Sequence, residues 1–258
     1  TPPAHGPGAG VPGALARGRV GQVTEHELDF EYVGLEQDPP VQSEYRGMWE
    51  YQRQVHAQVA AGEIPPRVLF VQHSPVYTAG RRTLPQERPF DGTPVVDVDR
   101  GGKITYHGPG QLVGYPIVPI PRAIGPLGYV RRLEEALIRC LEEFGVHGRR
   151  VDGRTGVWLD ASPGRLERKI AAIGIRVSKQ TALHGFAFNI EAGSTGPFHN
   201  IIPCGIADAD VTSLEAEIGP VPTLAEMGRR MEPHLRELLA FEPYQRLDGV
   251  SPAGTIAG

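Results

Sequence analysis

Apolar side chains recur along the middle of this chain with two different periods. Between residues 41 and 60, Tyr45, Met48, Trp49, Val55 and Val59 fall mostly three and four positions apart, with Gln52 on the same stripe, which predicts a helix. Leu127, Val130, Leu133, Leu137, Cys140, Leu141 and Phe144 form one stripe of a second helix that stops at Gly145. Thr212-x-x-Glu215 and Thr223-x-x-Glu226 read as capping boxes, the second opening a helix to about Phe241. Shorter β-branched runs bounded by Pro or Gly predict strands at RVLFVQ (67–72) and PVVDV (94–98). Strand patterns at 111–118, 155–159, 169–177 and 183–190 add four more. Several strands follow one another with no helix between, so the expected class is α/β with a mixed sheet.

Composition narrows the picture only at its edges. Residues 1–16 (TPPAHGPGAGVPGALA) are Pro, Gly and Ala with almost no charge, and 246–258 are similarly poor in core formers. Both are expected to be flexible tails around a single domain spanning 17–245. The 26 Lys and Arg against 30 Asp and Glu leave a net charge of −4, so no overall field attracts nucleic acid or anionic lipid. No apolar run approaches the roughly 18 to 20 residues of a membrane span. The N-terminal segment lacks the layout of a signal peptide, and two cysteines in 258 residues make no disulfide framework. A cytoplasmic protein with no nucleic-acid or membrane partner is the expectation.

The stretch GGKITYHGPGQLVGYP (101–116) looks at first like a nucleotide loop. A phosphate-cradling loop needs G-x-x-x-x-G-K-[ST], but Ile104 follows Gly102-Lys103, and Asp97 stands where the first glycine belongs. A dinucleotide fingerprint fails too, because Gly114 comes one residue late after Gly108-Pro109-Gly110. Candidate chemistry lies elsewhere. Cys140 sits on a helical apolar stripe, as a small hydrophobe does. Cys204, between Pro203 and Gly205, is either a nucleophile or a structural thiol. In KIAAIGIRV a regular strand puts Lys169 on the face of Ala171, Ile173, Ile175 and Val177. There it either meets a partner or, at a frayed strand end, reaches water. His184-Gly185 interrupts a buried strand, marking either close approach of a ligand or a satisfied core histidine.

Four short motifs in order, RGGKITYHGPGQ (100–111), ERKIAAIGIR (167–176), HGFAFN (184–189) and IIPCGI (201–206), resemble those of the lipoyl(octanoyl) transferases, also called lipoate-protein ligase B. TAGRRT (78–83) looks like the family's upstream segment, and the likeness runs from about 28 to 245. The resemblance implies an α/β (α+β) fold, a mixed β-sheet flanked by helices as in the biotin/lipoate ligase superfamily. It implies a Cys204 nucleophile whose thiol Lys169 makes more acidic. It places Arg100, Gly101, Gly102, Lys103, Ile104, Thr105, Tyr106 and His107 against the acyl chain, with Ala172, Ile173, Gly174, Gly185, Phe186 and Ala187. The implied reaction moves an octanoyl group from octanoyl-acyl carrier protein, through a cysteine thioester, to a lysine amine. Implied acceptors are the lipoyl domains of 2-oxoacid dehydrogenase acyltransferase subunits and the glycine-cleavage H protein. No cofactor, metal or ATP is implied. The rivals are an ATP-dependent lipoate or biotin ligase on the same fold and a catalytically idle acyl-carrier-binding protein.

Overall fold

The computed structural model describes residues 28–201 and 209–247. Its first half runs β1 (Asp29–Val33), α1 (Tyr45–Ala61), β2 (Arg67–Val71), β3 (Val76–Ala79), β4 (Val95–Asp97), β5 (Thr105–His107) and β6 (Gln111–Ile117). The second half runs α2 (Gly125–Glu142), β7 (Arg149–Val151), β8 (Arg154–Leu159), β9 (Arg168–Ser178) and β10 (Thr181–Asn189). It closes with β11 (Asp210–Val211), α3 (Leu214–Ile218) and α4 (Leu224–Leu239). An eight-stranded sheet is ordered β1-β2-β6-β10-β9-β8-β7, with β11 beside β9, and a small sheet is ordered β4-β3-β5. Strand β11 joins β9 in parallel at Arg168 and Lys169, beyond the end of the antiparallel β10 pairing at Ala171. The sheet is mixed and flanked by helices, as expected.

Each large face has its own apolar layer. Helices α2 and α4 cover one face through Leu133, Leu137, Leu141, Met231, Leu235 and Leu238, all at 0% exposure. Helix α1 covers the other through Met48, Val55 and Val59 against Val113, Tyr115 and Ile117. The end signals behave as local chemistry dictates. Glu44 accepts from Arg46 N and Gly47 N, and Gly62 (φ 73°) closes α1. The Thr223/Glu226 box opens α4 with both bonds present. The Thr212 box does not form. Ser213 caps α3 by accepting from Ala216 N, while Thr212 Oγ1 donates to Glu217 and Glu215 accepts from Ala192 N. Leu127 also leaves the expected stripe, lying 68% exposed at the start of α2. Cys140 is buried and burial pushes its thiol far above the ordinary range, which makes it an inert hydrophobe. No helix among the described residues is long and apolar enough to cross a membrane.

Between α2 and the β7–β8 hairpin lies a buried charge cluster. Arg150 reaches Glu134 at 3.2 Å and Glu135 at 2.8 Å, all three side chains being at most 4% exposed. Arg131 and Arg139 complete it at 2.7 and 3.0 Å. Removing Glu135 breaks a buried ion pair of Arg150, a change that typically costs about 3 to 5 kcal/mol, whereas losing one helix cap costs about 1 kcal/mol. Glu135→Ala is therefore expected to lower the urea midpoint several times more than Thr223→Ala. Equal shifts in the two variants would show that the cluster contributes no more than a surface contact.

Candidate active site

Small residues make the floor. On the α1 side of the sheet, β9 and β10 place Ala172 opposite Ala187 and Gly174 opposite Gly185, so these positions raise no side chain beyond Cβ. Val113 and Tyr115 of β6 continue this face. Over it runs the segment from Arg100 to Thr105, and the space between is a cavity of about 420 Å³. Arg100, Gly101, Gly102, Lys103, Ile104, Thr105 and His107 all line it, as do Lys169, Ala172, Ile173, Gly174, Gly185, Phe186 and Ala187. Ile173 and Phe186, a cross-strand pair, also pack into the core under α2 and α4. Tyr106 does not line the cavity. Alternation along β5 turns it the other way, onto Tyr77 and Phe198. Cys204, with Gly205 and Ile206, lies outside the described residues.

The roof is held by backbone contacts that leave no room for side chains. Arg100 donates from Nη1 to the carbonyls of Gly101 and Lys103 at 2.9 and 2.8 Å. Its Nη2 donates to Thr78 O and Oγ1 at 2.7 and 2.9 Å. The guanidinium is thus a strut between the glycine segment and β3. A Cβ on Gly80 would lie 2.5 Å from Gly102 O, and one on Gly174 would lie 2.9 Å from Arg100 Cδ. Gly101 N donates to Ile175 O at 3.1 Å, and Lys103 is ion-paired with the buried Glu87. Asp99 pins the front of the segment to the sheet through Arg176 and through His184 Nε2 at 2.8 Å.

Lys169 reaches the cavity because β9 is not regular. Val157 pairs with Ala171, but Trp158 pairs with Lys169 and Leu159 with Arg168. The sums of paired numbers drop from 328 to 327, so β9 carries one extra residue at this point. Ile170 and Ala171 both face the core under α2 and α4 at 0% exposure, and Lys169 turns to the face of Ala172 and Gly174. The regular-strand expectation put it on the opposite face, and the bulge overturns that. Gly156 makes the slip possible. Its φ is +119°, and a Cβ there would lie 2.4 Å from Ala171 O and 3.4 Å from Lys169 Cε. The side chain of Lys169 is 9% exposed, with Nζ 4.5 Å from the centre of the Trp158 ring.

The other walls are aromatic rings and neutral imidazoles. Tyr45 stacks on His107 at 6.0 Å, and His73 Nε2 lies 2.7 Å from Tyr115 Oη. His107 Nδ1 is 2.8 Å from Gln111 Oε1, while the amide nitrogen of Gln111 donates to Tyr106 O and Asn189 Oδ1. That network assigns the proton to Nδ1 of His107. Burial holds His73 down to about 4 and His107 and His184 down to about 3, so all three are uncharged at neutral pH. His184 has a left-handed φ of 60° that swings its ring out of the alternation of Phe186 and Phe188 toward Asp99. Motif reading missed Tyr45, Tyr115, Asp99 and Trp158. Only Gly156, inside an otherwise strand-like run, signalled the irregularity that aims Lys169. Among the described residues no group of three or more His, Cys, Asp or Glu is placed to hold a metal ion.

Comparison with known proteins agrees with this architecture. The chain is 56% identical over 225 residues to an octanoyltransferase of Cutibacterium acnes, covering 84% of this chain and 82% of that protein. It is 52% identical over 212 residues to an octanoyltransferase of Mycobacterium tuberculosis, covering 82% and 86%. Among solved structures, a bi-partite lipoate protein ligase from Thermoplasma acidophilum shares the fold with a TM-score of 0.57 at 15% identity, over 84% of each chain. The family model for the lipoyl protein ligase A/B catalytic domain matches residues 44–236. With that match and those relatives, the chain belongs to the lipoyl protein ligase A/B catalytic domain family.

Proposed function

We propose that this protein is an octanoyltransferase that carries its acyl group on Cys204 and uses Lys169 to keep that thiol reactive. The observation that carries the reading is the cavity itself: a floor of Ala172, Gly174, Gly185 and Ala187 that ends at a buried lysine. A methylene chain lies against such a floor without steric cost, at about 0.8 kcal/mol gained per buried CH₂. Relatives named octanoyltransferase at 52% and 56% identity support the acyl group and the reaction class. The chain leaves the described residues at Ile201, which packs with Ile104 and Tyr106. It re-enters at Ala209, one residue before β11 joins Arg168 and Lys169. Both ends of the segment holding Cys204 are therefore fixed to cavity elements.

In the first half-reaction the Cys204 thiolate attacks the thioester carbonyl of octanoyl-acyl carrier protein. The bond to the carrier sulfur breaks, and that sulfur leaves with one proton. In the second, a lysine amine of a lipoyl domain attacks the acyl-enzyme, forms the amide, and returns the thiolate after losing its proton. Lipoyl domains of 2-oxoacid dehydrogenase complexes and the glycine-cleavage H protein are the acceptors of this reading. Lys169 stabilises the thiolate by its positive charge and relays the proton in each half-reaction. The cysteine thioester removes any need for ATP, which separates this reading from a ligase on the same fold.

Three results test it. Incubation with octanoyl-acyl carrier protein and no ATP is expected to add one octanoyl mass, released by hydroxylamine and absent in Cys204→Ser. Labelling that requires ATP sinks the transferase reading in favour of the ligase. For the pair, a cation beside a thiol favours the thiolate, so Lys169→Met should move the iodoacetamide alkylation curve of Cys204 upward, toward the free-thiol value of about 8.5. Reaction at pH 7 then slows roughly tenfold, and superimposable curves would break the pair. For the floor, Ala187→Leu fills the space opposite Ala172. Octanoyl kcat/KM should fall by about tenfold relative to hexanoyl, the equivalent of two methylenes. An unchanged chain-length profile in the folded variant would remove Ala187 from the acyl path.

A further inference from the structure

The slip in β9 does more than turn Lys169 inward, because it also decides what lies beneath the ammonium. Trp158 and Lys169 become directly opposed residues on neighbouring strands, and Nζ stands 4.5 Å from the indole centroid. That is inside the range of about 6 Å within which a ring face attracts a cation. The indole is 2% exposed, and its Nε1 donates to Arg154 O at 3.1 Å, so its plane cannot swing away. Val157 and Leu159 point to the opposite face and sit in the core, while Arg154 and Thr155 at the start of β8 line the cavity together with Lys169.

Several charged groups near Lys169 among the described residues pair with one another. On β8, Arg154 approaches the same ring at 5.6 Å and is matched to Glu167 at 2.8 Å, and Glu167 also takes Arg149. Next to Lys169 on its own strand, Arg168 is bound to Glu217 at 2.8 Å. On β11, Asp210 is exposed and accepts from Val211 N. On α2, Glu134 is matched to Arg131 and Arg150 and accepts from Gly156 N at 3.1 Å. Glu134, Glu167 and Glu217 each serve arginines, and the indole of Trp158 presents an electron-rich face to the ammonium.

We infer that Trp158 is a positioning residue for Lys169, its indole face holding the amine in place in the cavity beside the acyl carbonyl. The inference rests on the reading of Lys169 as the partner of Cys204, but its test need not. The chain has three lysines, Lys103, Lys169 and Lys179, so protein labelled with [13Cε]-lysine gives a simple spectrum, and Lys169→Met assigns the signal. In wild type the Lys169 Hε resonances are expected upfield of those of the other two lysines, displaced by the indole ring current. Trp158→Leu should abolish that displacement and lower kcat for octanoyl transfer several-fold with little change in KM, because the amine loses its fixed position. Trp158→Phe keeps a ring face and should recover most of both effects, which a merely space-filling role would not distinguish from Leu. An Hε shift in wild type that matches the other lysines overturns the inference without any variant having to fold. So does a kcat for octanoyl transfer common to wild type and Trp158→Leu. If the ring-current shift is present while Lys169→Met leaves Cys204 alkylation unchanged, the Cys204–Lys169 reading fails and the indole contact stands.

Discussion

One extra residue in one strand decides which face of the sheet receives the side chain of Lys169. Between its pairings with Val157 and Trp158, β9 gains a residue on its partner, and every side chain N-terminal to that point changes face. Without the slip, Lys169 would share the face of Ala171 under α2 and α4, in the apolar core, where an ammonium has no solvation. With it, the same residue closes one end of an acyl-sized cavity. The slip itself depends on Gly156, whose φ of +119° and approach to Ala171 O exclude a side chain. Gly156 N is held in turn by Glu134, a fully buried carboxylate on α2. A helix, a hairpin and a strand therefore cooperate to aim one nitrogen.

The opposite face of the cavity follows a related logic. Its roof is not a secondary-structure element but a segment tied down by one arginine. Arg100 satisfies carbonyls of its own loop and of β3 from both ends of its planar fork, a geometry lysine cannot supply. The resemblance put Arg100 against the acyl chain. It does line the cavity, but the four bonds it makes to Gly101, Lys103 and Thr78 make it first a strut. Asp99 then fixes the next residue to β9 and β10 through Arg176 and His184. The imidazole of His184, which lines the cavity, is neutral because burial disfavours its charge.

Long periodic elements were legible in the sequence, and irregular ones were not. The stripes of α1 and α2 and the box at Thr223 state their helices directly, since each is a local pattern read out by local bonds. Strands β1, β3 and β5, of three to five residues, are too short to show a period. The Thr212 box failed because Glu217 competes for the threonine hydroxyl and Ser213 caps instead. Strand order depends on pairings such as β6 with β10, whose partners lie more than 70 positions apart, and nothing local encodes them. For the site, the resemblance named Ala172, Gly174, Gly185 and Ala187, which do line the cavity, while alternation put Lys169 on the wrong face. A period-2 argument holds only as far as the ladder is regular. Tyr106 left the cavity for the same reason in reverse, because β5 is regular and alternates its middle residue away.

The glycine-rich stretch shows why motif spacing outranks composition. Its glycines match no phosphate-binding pattern, and the structure gives each of several a different steric duty. Gly102 brings its carbonyl within reach of Gly80, where a Cβ would sit 2.5 Å away. Gly114 faces Phe186, whose ring would meet a Cβ at 2.3 Å, and Gly110 takes a φ of 80° beside Glu191. None of these duties involves aiming N–H groups at an anion, which is what a phosphate loop requires of its glycines. They serve close packing of backbone on backbone and on rings. That packing brings a roof near enough to a sheet for a thin, apolar chain to fill the gap. A fold shared at 15% identity with a lipoate protein ligase thus keeps its frame while the residues lining the gap set what lies in it.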